Sequence, residues 1–235
     1  MKHHFQLIVV FIIIFTYGSC ENSDRRPDKH ADEGRTHAGT PDTSFTRPHA
    51  RPVAPSDTVF HGIELYHDDG SCDQNNSPWG YESGGQLAVV FSPPFYPARL
   101  IGARFFVSAS GKPHTPFRVR VYEGNFADGP RGGGLLTSEV AASAASGYRW
   151  VDVDLSAQDI TIGGGDFCIA MEWLVEPGNM GRNAQFLCAD TSQPDRRSWW
   201  KHTPDSEWKR IERIAGKGDR DLMIRAVVSE RQRGL

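Results

Sequence analysis

Eight residues, Asp166–Trp173, set the terms for the whole chain. Phe167, Ile169, Met171 and Trp173 share one parity, and Cys168, Ala170 and Glu172 share the other. A period of two is the mark of a strand, whose successive side chains point to opposite faces. The same alternation returns at 86–92, where Leu87, Val89 and Phe91 share a parity. It also runs through 99–108, with Ile101, Ala103, Phe105 and Val107 inward against Arg104 outward. At 117–123, Phe117, Val119 and Val121 oppose Arg118 and Arg120. At 148–155, Val151, Val153 and Leu155 oppose Trp150, Asp152 and Asp154. At 221–229, Leu222, Ile224, Ala226 and Val228 line one face. Further strands are expected at 59–66, 135–141, 159–162, 184–190, 198–202 and 207–210.

Alternation leaves one face of each sheet to solvent, which belongs to antiparallel sheets rather than a helix-covered parallel one. The chain is rich in turn formers, with 24 Gly and 15 Pro, and no long amphipathic helix pattern occurs. The reading is an all-β, antiparallel β-sandwich, jelly-roll-like, of about ten to twelve short strands. A closed barrel is the alternative. Pro177, Gly178, Asn179 and Gly181 form a turn signal between 166–173 and 184–190. The expectation is therefore a central hairpin, with the glycines at 132–134 in a turn that leads into 135–141.

The first 57 residues have a different composition. A short basic start precedes residues 5–15, apolar except for Gln6. About eleven apolar residues are too few to span a bilayer, so residues 1–19 read as a signal peptide. The ending Tyr17-Gly18-Ser19-Cys20 resembles a bacterial lipobox, with Tyr17 in place of the usual Leu. The resemblance implies cleavage before Cys20, lipidation of Cys20, and attachment to the membrane through that lipid. An ordinary secretory signal is the alternative. Glu21 after the cysteine, by the same resemblance, points to the outer membrane. Residues 20–57, with charges of both signs, Pro at 27, 41, 48, 52 and 55, and few apolar side chains, read as a disordered tether. Its mean span is on the order of 33 Å. The domain is expected over 58–229, with a tail at 230–235.

Three stretches, Glu64-Leu-Tyr-His-Asp-Asp-Gly70, Phe117-Arg-Val-Arg-Val-Tyr-Glu123 and Trp150-Val-Asp-Val-Asp-Leu155, look like a recurrent secreted bacterial β-sandwich module, as do the strands at 86–94, 166–173 and 221–228. Such modules accompany extracellular proteases and adhesin-like proteins. The resemblance covers most of 62–229. It implies a non-catalytic accessory domain and transfers no active-site residues.

Four candidate chemistries remain. In the expected hairpin Cys168 and Cys188 stand opposite each other, which suits a disulfide in a secreted protein; two buried thiols are the alternative. Cys72, in a polar loop, has no obvious partner. Asp68, Asp69, Asp73 and Asp221 are the carboxylates a Ca²⁺ ion would draw on, though their spacing matches no EF-hand or repeat loop and turn-forming Asp is the favoured reading. No other cofactor is expected. Trp79, Tyr81, Trp199 and Trp200 fall outside the main alternating set and could form a ring platform for a glycan, with Asp68, Asp69 and His202 as polar partners. Adjacent Trp199 and Trp200 must face opposite ways in a strand. Catalysis is the weakest: no nucleophile-elbow, zinc-protease or phosphate-loop motif occurs. A hydrolase would have to assemble a His/acid site from His61, His67, His114 or His202. The net charge of −3 offers nothing to nucleic acid. The expectation is a binding module for a glycan, a peptide or an envelope protein, with a metal-stabilised structural module as a further alternative.

Overall fold

Apolar residues on alternate positions can be shielded only if a second sheet covers them, and the chain supplies that sheet. The computed structural model describes residues 60–76, 83–175, 183–212 and 219–229. Fifteen strands form, more than the ten to twelve expected. In chain order they are β1 (Ile63–Leu65), β2 (Gln74–Asn76), β3 (Gln86–Phe91), β4 (Ala98–Gly111), β5 (Phe117–Asn125), β6 (Gly129–Gly134), β7 (Val140–Ala142) and β8 (Arg149–Asp154). There follow β9 (Thr161–Ile162), β10 (Asp166–Trp173), β11 (Gln185–Asp190), β12 (Ser198–Lys201), β13 (Lys209–Arg210), β14 (Asp221–Leu222) and β15 (Ile224–Val228). All the pairings are antiparallel. The result is the all-β sandwich that the alternation required.

The eight-stranded sheet runs β1-β15-β4-β11-β14, with β2 on β11 and β8 and β9 on β4. Its spine is the long strand β4. The seven-stranded sheet runs β13-β12-β3-β10-β5-β6, with β7 on β5. The glycine run read as a turn is an edge strand, β6, because Gly124 and Asn125 of β5 pair with Pro130 and Gly129. The chain passes from sheet to sheet at most of its long strands, and this distinguishes a jelly-roll-like path from a meander.

Between the sheets lies one continuous core. Phe105 of β4 meets Phe117 of β5 edge-on at 5.0 Å, joining the two layers. Phe91 and Phe167 pack at 5.7 Å, and Ile169, Met171, Leu187, Ile224 and Val228 complete the fill. All are buried to a degree at which each side chain contributes roughly 1.5–3 kcal/mol.

The expected hairpin of 166–173 and 184–190 does not form. Strand β10 has both edges taken, by β3 and β5, so β11 cannot pair with it. Instead β11 joins the other sheet, against β4, β2 and β14. Cys168 therefore faces outward from one sheet, among Ala88, Val90, Ala170 and Trp199. Cys188, between inward Leu187 and Ala189, faces outward from the other. Sheets in a sandwich lie about 10 Å apart, so a Cys168–Cys188 bond is excluded. The disulfide joins Cys72 to Cys188, with Cα atoms 5.3 Å apart, and ties the β1–β2 loop to β11. Cys168 is a free, buried thiol.

The outer face of the seven-stranded sheet has its own cover. Tyr122, Trp199 and Trp208 lie over Ala88, Val90, Cys168 and Ala170. Gly129 makes this fit: its φ of 72° favours glycine, and a Cβ there would stand 2.5 Å from the Trp199 ring. Beyond the rings, buried Glu172 receives hydrogen bonds from Arg118 (2.6 Å) and Arg120 (2.5 Å). The charge is thus paired where it leaves water.

Candidate functional site

The outward positions of β4, β8 and β15 converge on the uncovered face of the eight-stranded sheet. Inward Ala103, Phe105 and Val107 oblige Arg104 and Phe106 to face out. Inward Val151 and Val153 do the same for Trp150 and Asp152, and inward Ile224 and Ala226 for Arg225. Register then decides the neighbours. Phe106 stands opposite Trp150, and Arg104 stands opposite Asp152 on one side and Arg225 on the other.

A ladder of rings and guanidiniums results. The Arg225 guanidinium lies 5.0 Å from the Tyr66 ring and 4.3 Å from the Trp150 ring. Arg104 lies 5.3 Å from Trp150. Trp150 meets Phe106 edge-on at 5.2 Å, and Phe106 meets Tyr148 edge-on at 5.8 Å. Such contacts contribute about 0.5–2 kcal/mol each. The two ends are open to solvent: Tyr66 is 57% and Tyr148 60% exposed. Tyr148 holds a left-handed backbone, φ 58°, which costs a non-glycine residue on the order of 1 kcal/mol or more. A strained tyrosine at the end of an exposed ring ladder points to use of that ring.

The charges in the ladder close on one another. Arg104 donates to Asp152 (2.7 Å) and Glu64 (2.8 Å). Arg225 grips Asp68 with two nitrogens and reaches Glu64 at 3.4 Å. Burial disfavours both guanidinium charges, but the carboxylate hydrogen bonds outweigh it, and both groups are held above the usual range. The face thus carries two cations and three carboxylates, all mutually oriented.

Beside it, where Tyr66 borders a second hollow, stand His67, Asp69, Asp190 and Asp195. The acids singled out in the sequence are used by the loops. Asp68 holds Arg225. Asp69 caps the Ser71 backbone at 2.8 Å, and Asp73 accepts from both the backbone and the hydroxyl of Thr191. These hydrogen bonds lower the carboxyl pKa of Asp69 and of Asp73. Asp221, buried opposite Asp190, accepts from the Asp195 backbone at 2.7 Å. Among the described residues no three such side chains are placed to hold a metal ion.

The four described histidines do not assemble a hydrolytic centre. His67 bonds Asp195 through Nδ1 at 2.9 Å, but its Nε2, the nitrogen that would have to face a nucleophile, is buried. Burial also lowers its pKa. His114 meets the Ala144 carbonyl, His202 lies against Trp200, and His61 is exposed. The thiol of Cys168 is pushed up by burial and is correspondingly unreactive.

The expected ring platform fares differently. Trp199 is 6% exposed and covers the seven-stranded sheet from outside, while Trp200 packs on the core from the opposite face. Alternation within β12 separates them, so the two do not share a platform. Trp79 and Tyr81, like Cys20, lie outside the described residues. The rings that do converge, Tyr66, Phe106, Tyr148 and Trp150, carried a signal in the sequence. Trp150 and Asp152 share the outward parity of one strand, with Tyr148 just before it, as Arg104 and Phe106 do of another.

No protein-family model matches the chain, and no curated protein matches it. Among solved structures it is similar to the clostridial cysteine protease Cwp84 after propeptide cleavage. The TM-score is 0.51 at 12% identity, over 71% of this chain and 40% of that one. A structure of the cysteine protease and lectin-like domains of Cwp84, a surface layer associated protein of Clostridium difficile, gives a TM-score of 0.44 at 14% identity. That match covers 63% of this chain and 32% of the other. The chain therefore spans less than half the length of the structures it matches. What it shares with the first of these is the fold.

Proposed function

We propose that the protein is a lipid-anchored, extracytoplasmic binding module, and that it captures an uncharged glycan on the outer face of its eight-stranded sheet. One observation carries this reading: the ladder Tyr66–Arg225–Trp150–Phe106–Tyr148, open to solvent at both ends. Flat rings stack on the C–H faces of sugars, and the flanking carboxylates keep lone pairs for hydroxyl groups. Because Arg104 and Arg225 are already paired with Glu64, Asp68 and Asp152, the ladder offers no free cation among the described residues to an anionic chain. The module is non-catalytic. The buried His67 Nε2 and the buried Cys168 thiol support that reading. The apolar segment at 5–15 and the lipobox-like ending at Cys20 support a head tethered at the membrane.

A glycan array on the full chain, followed by titration calorimetry with the best hit, tests the assignment. Trp150→Ala should weaken binding at least tenfold with the fold retained. Undiminished binding by that variant would move the site elsewhere. The anchor has its own test: Cys20→Ser should abolish acyl labelling and release the protein from membranes.

A further inference from the structure

Where β3 ends and β10 begins, the seven-stranded sheet carries a second pair of guanidiniums in a contrasting state. Phe126, in the turn between β5 and β6, is 41% exposed. The Arg210 guanidinium stands 4.7 Å from its ring and the Arg197 guanidinium 5.4 Å. Arg210 is held in place by the Trp199 ring at 5.0 Å and by the Phe126 and Ala127 carbonyls, to which Nη2 donates at 2.6 and 3.2 Å. Arg197 is held through Nη1, which donates to Ser92 Oγ at 3.1 Å. Neither forms an ion pair among the described residues. The nearby Asp166 carboxylate is occupied by Ser92 Oγ (2.7 Å) and the Phe126 backbone N–H (3.2 Å). Arg104, Arg118, Arg120 and Arg225 each hold a carboxylate.

A guanidinium has five N–H donors in a planar fork that matches an oxyanion. Here two forks are fixed at one edge each, and among the described residues Nε and Nη1 of Arg210 and Nε and Nη2 of Arg197 keep donors without an acceptor. The exposed Phe126 ring adjoins both. We infer that this cluster is a binding site for a phosphodiester-bearing ligand. Successive phosphates would meet Arg197 and Arg210, and the polyol or sugar carbons between them would lie on Phe126. The same chemistry is offered by a soluble sugar- or polyol-phosphate polymer and by a phospholipid headgroup layer. The site is on the other sheet from the glycan face and does not depend on that reading.

The test uses the full chain with Cys20→Ser, so that no acyl group contributes. One arm measures fluorescence anisotropy with a labelled poly(glycerol phosphate) oligomer. The other measures co-sedimentation with phosphatidylglycerol vesicles against phosphatidylcholine vesicles. Both are run in about 20 mM and about 200 mM salt, since screening at the higher ionic strength must weaken such contacts. Binding in either arm supports the site, and the arm that responds identifies the source, provided two conditions hold. Arg197→Gln with Arg210→Gln must weaken binding at least tenfold, and Arg149→Gln, the same change of charge on an exposed arginine of β8, must leave it within twofold. Arg197→Gln alone, which leaves Arg210 on Trp199, guards against unfolding and should cost at least threefold. No saturable binding to either probe at low salt overturns the inference, as does an equal loss in the Arg149→Gln control.

Discussion

Removing the Cys72–Cys188 bond tests both the fold and the reassignment of the cysteines. The bond closes a loop of 116 residues in sequence separation, from the β1–β2 loop to β11. In the chain-entropy model a loop of that length restricts the unfolded chain by about 5 kcal/mol, the upper end of what native disulfides contribute. For a domain of this size one kcal/mol moves the melting temperature by about 2–4 °C, so Cys72→Ala with Cys188→Ala should lower it by roughly 10–20 °C. Cys168→Ala removes one atom from a small buried cluster and should cost about 1 kcal/mol, or a few degrees. Thermal melts with and without reductant separate the cases. Wild type and Cys168→Ala should both lose stability on reduction, whereas the double variant should not respond. Non-reducing peptide mapping should show Cys168 alone among the domain cysteines alkylated, and only after unfolding. A Cys168→Ala protein insensitive to reductant, or a mapped Cys168–Cys188 peptide, would refute the assignment of these strands to opposite sheets.

Tyr148→Gly relieves a left-handed tyrosine, so stability should stay within about 1 kcal/mol while glycan binding falls sharply. A parallel loss of both in calorimetry and melting would reduce Tyr148 to a packing role. Glu172→Gln strands Arg120 and leaves Arg118 only Glu139; because Arg120 is 35% exposed, the cost in a urea titration should be about 2–3 kcal/mol rather than the full buried-pair figure. Glu139→Gln, at an exposed partner of Arg118, should change stability by less than about 1 kcal/mol in the same titration. For Asp221 burial comes first among the causes, followed by the neighbouring Asp195, Asp190 and Asp68 charges, and they raise its pKa from 3.8 to about 7 despite the Asp195 backbone bond. A carboxyl raised in the folded state favours folding fully below about pH 4 and loses that contribution as pH climbs through 7. Asp221→Asn should therefore raise the melting temperature by several degrees at pH 8 and by little at pH 4. A gain that is the same at both pH values would contradict the shift.

How each strand faces was legible because facing is local. Val151 and Val153 point inward and Trp150 and Asp152 outward by the period of two alone, and the same rule placed Trp199 and Trp200 on opposite faces. The all-β sandwich follows from repeating that rule along the domain. Strand partnership is not local, and there the sequence misled. A turn signal at 177–181 suggested that residues 166–173 fold back on 184–190, yet β10 already had β3 and β5 on its edges and β11 crossed to the other sheet. With that crossing, Cys188 found Cys72 across 116 residues, and Cys168 was left under Trp199. The ring ladder has the same origin. Phe106 meets Trp150, and Arg104 stands between Asp152 and Arg225, only because β4 accepts β8 on one edge and β15 on the other. Each outward side chain was determined by its own strand. Their assembly into one site was decided by register between strands far apart in the chain, for which a period of two carries no information.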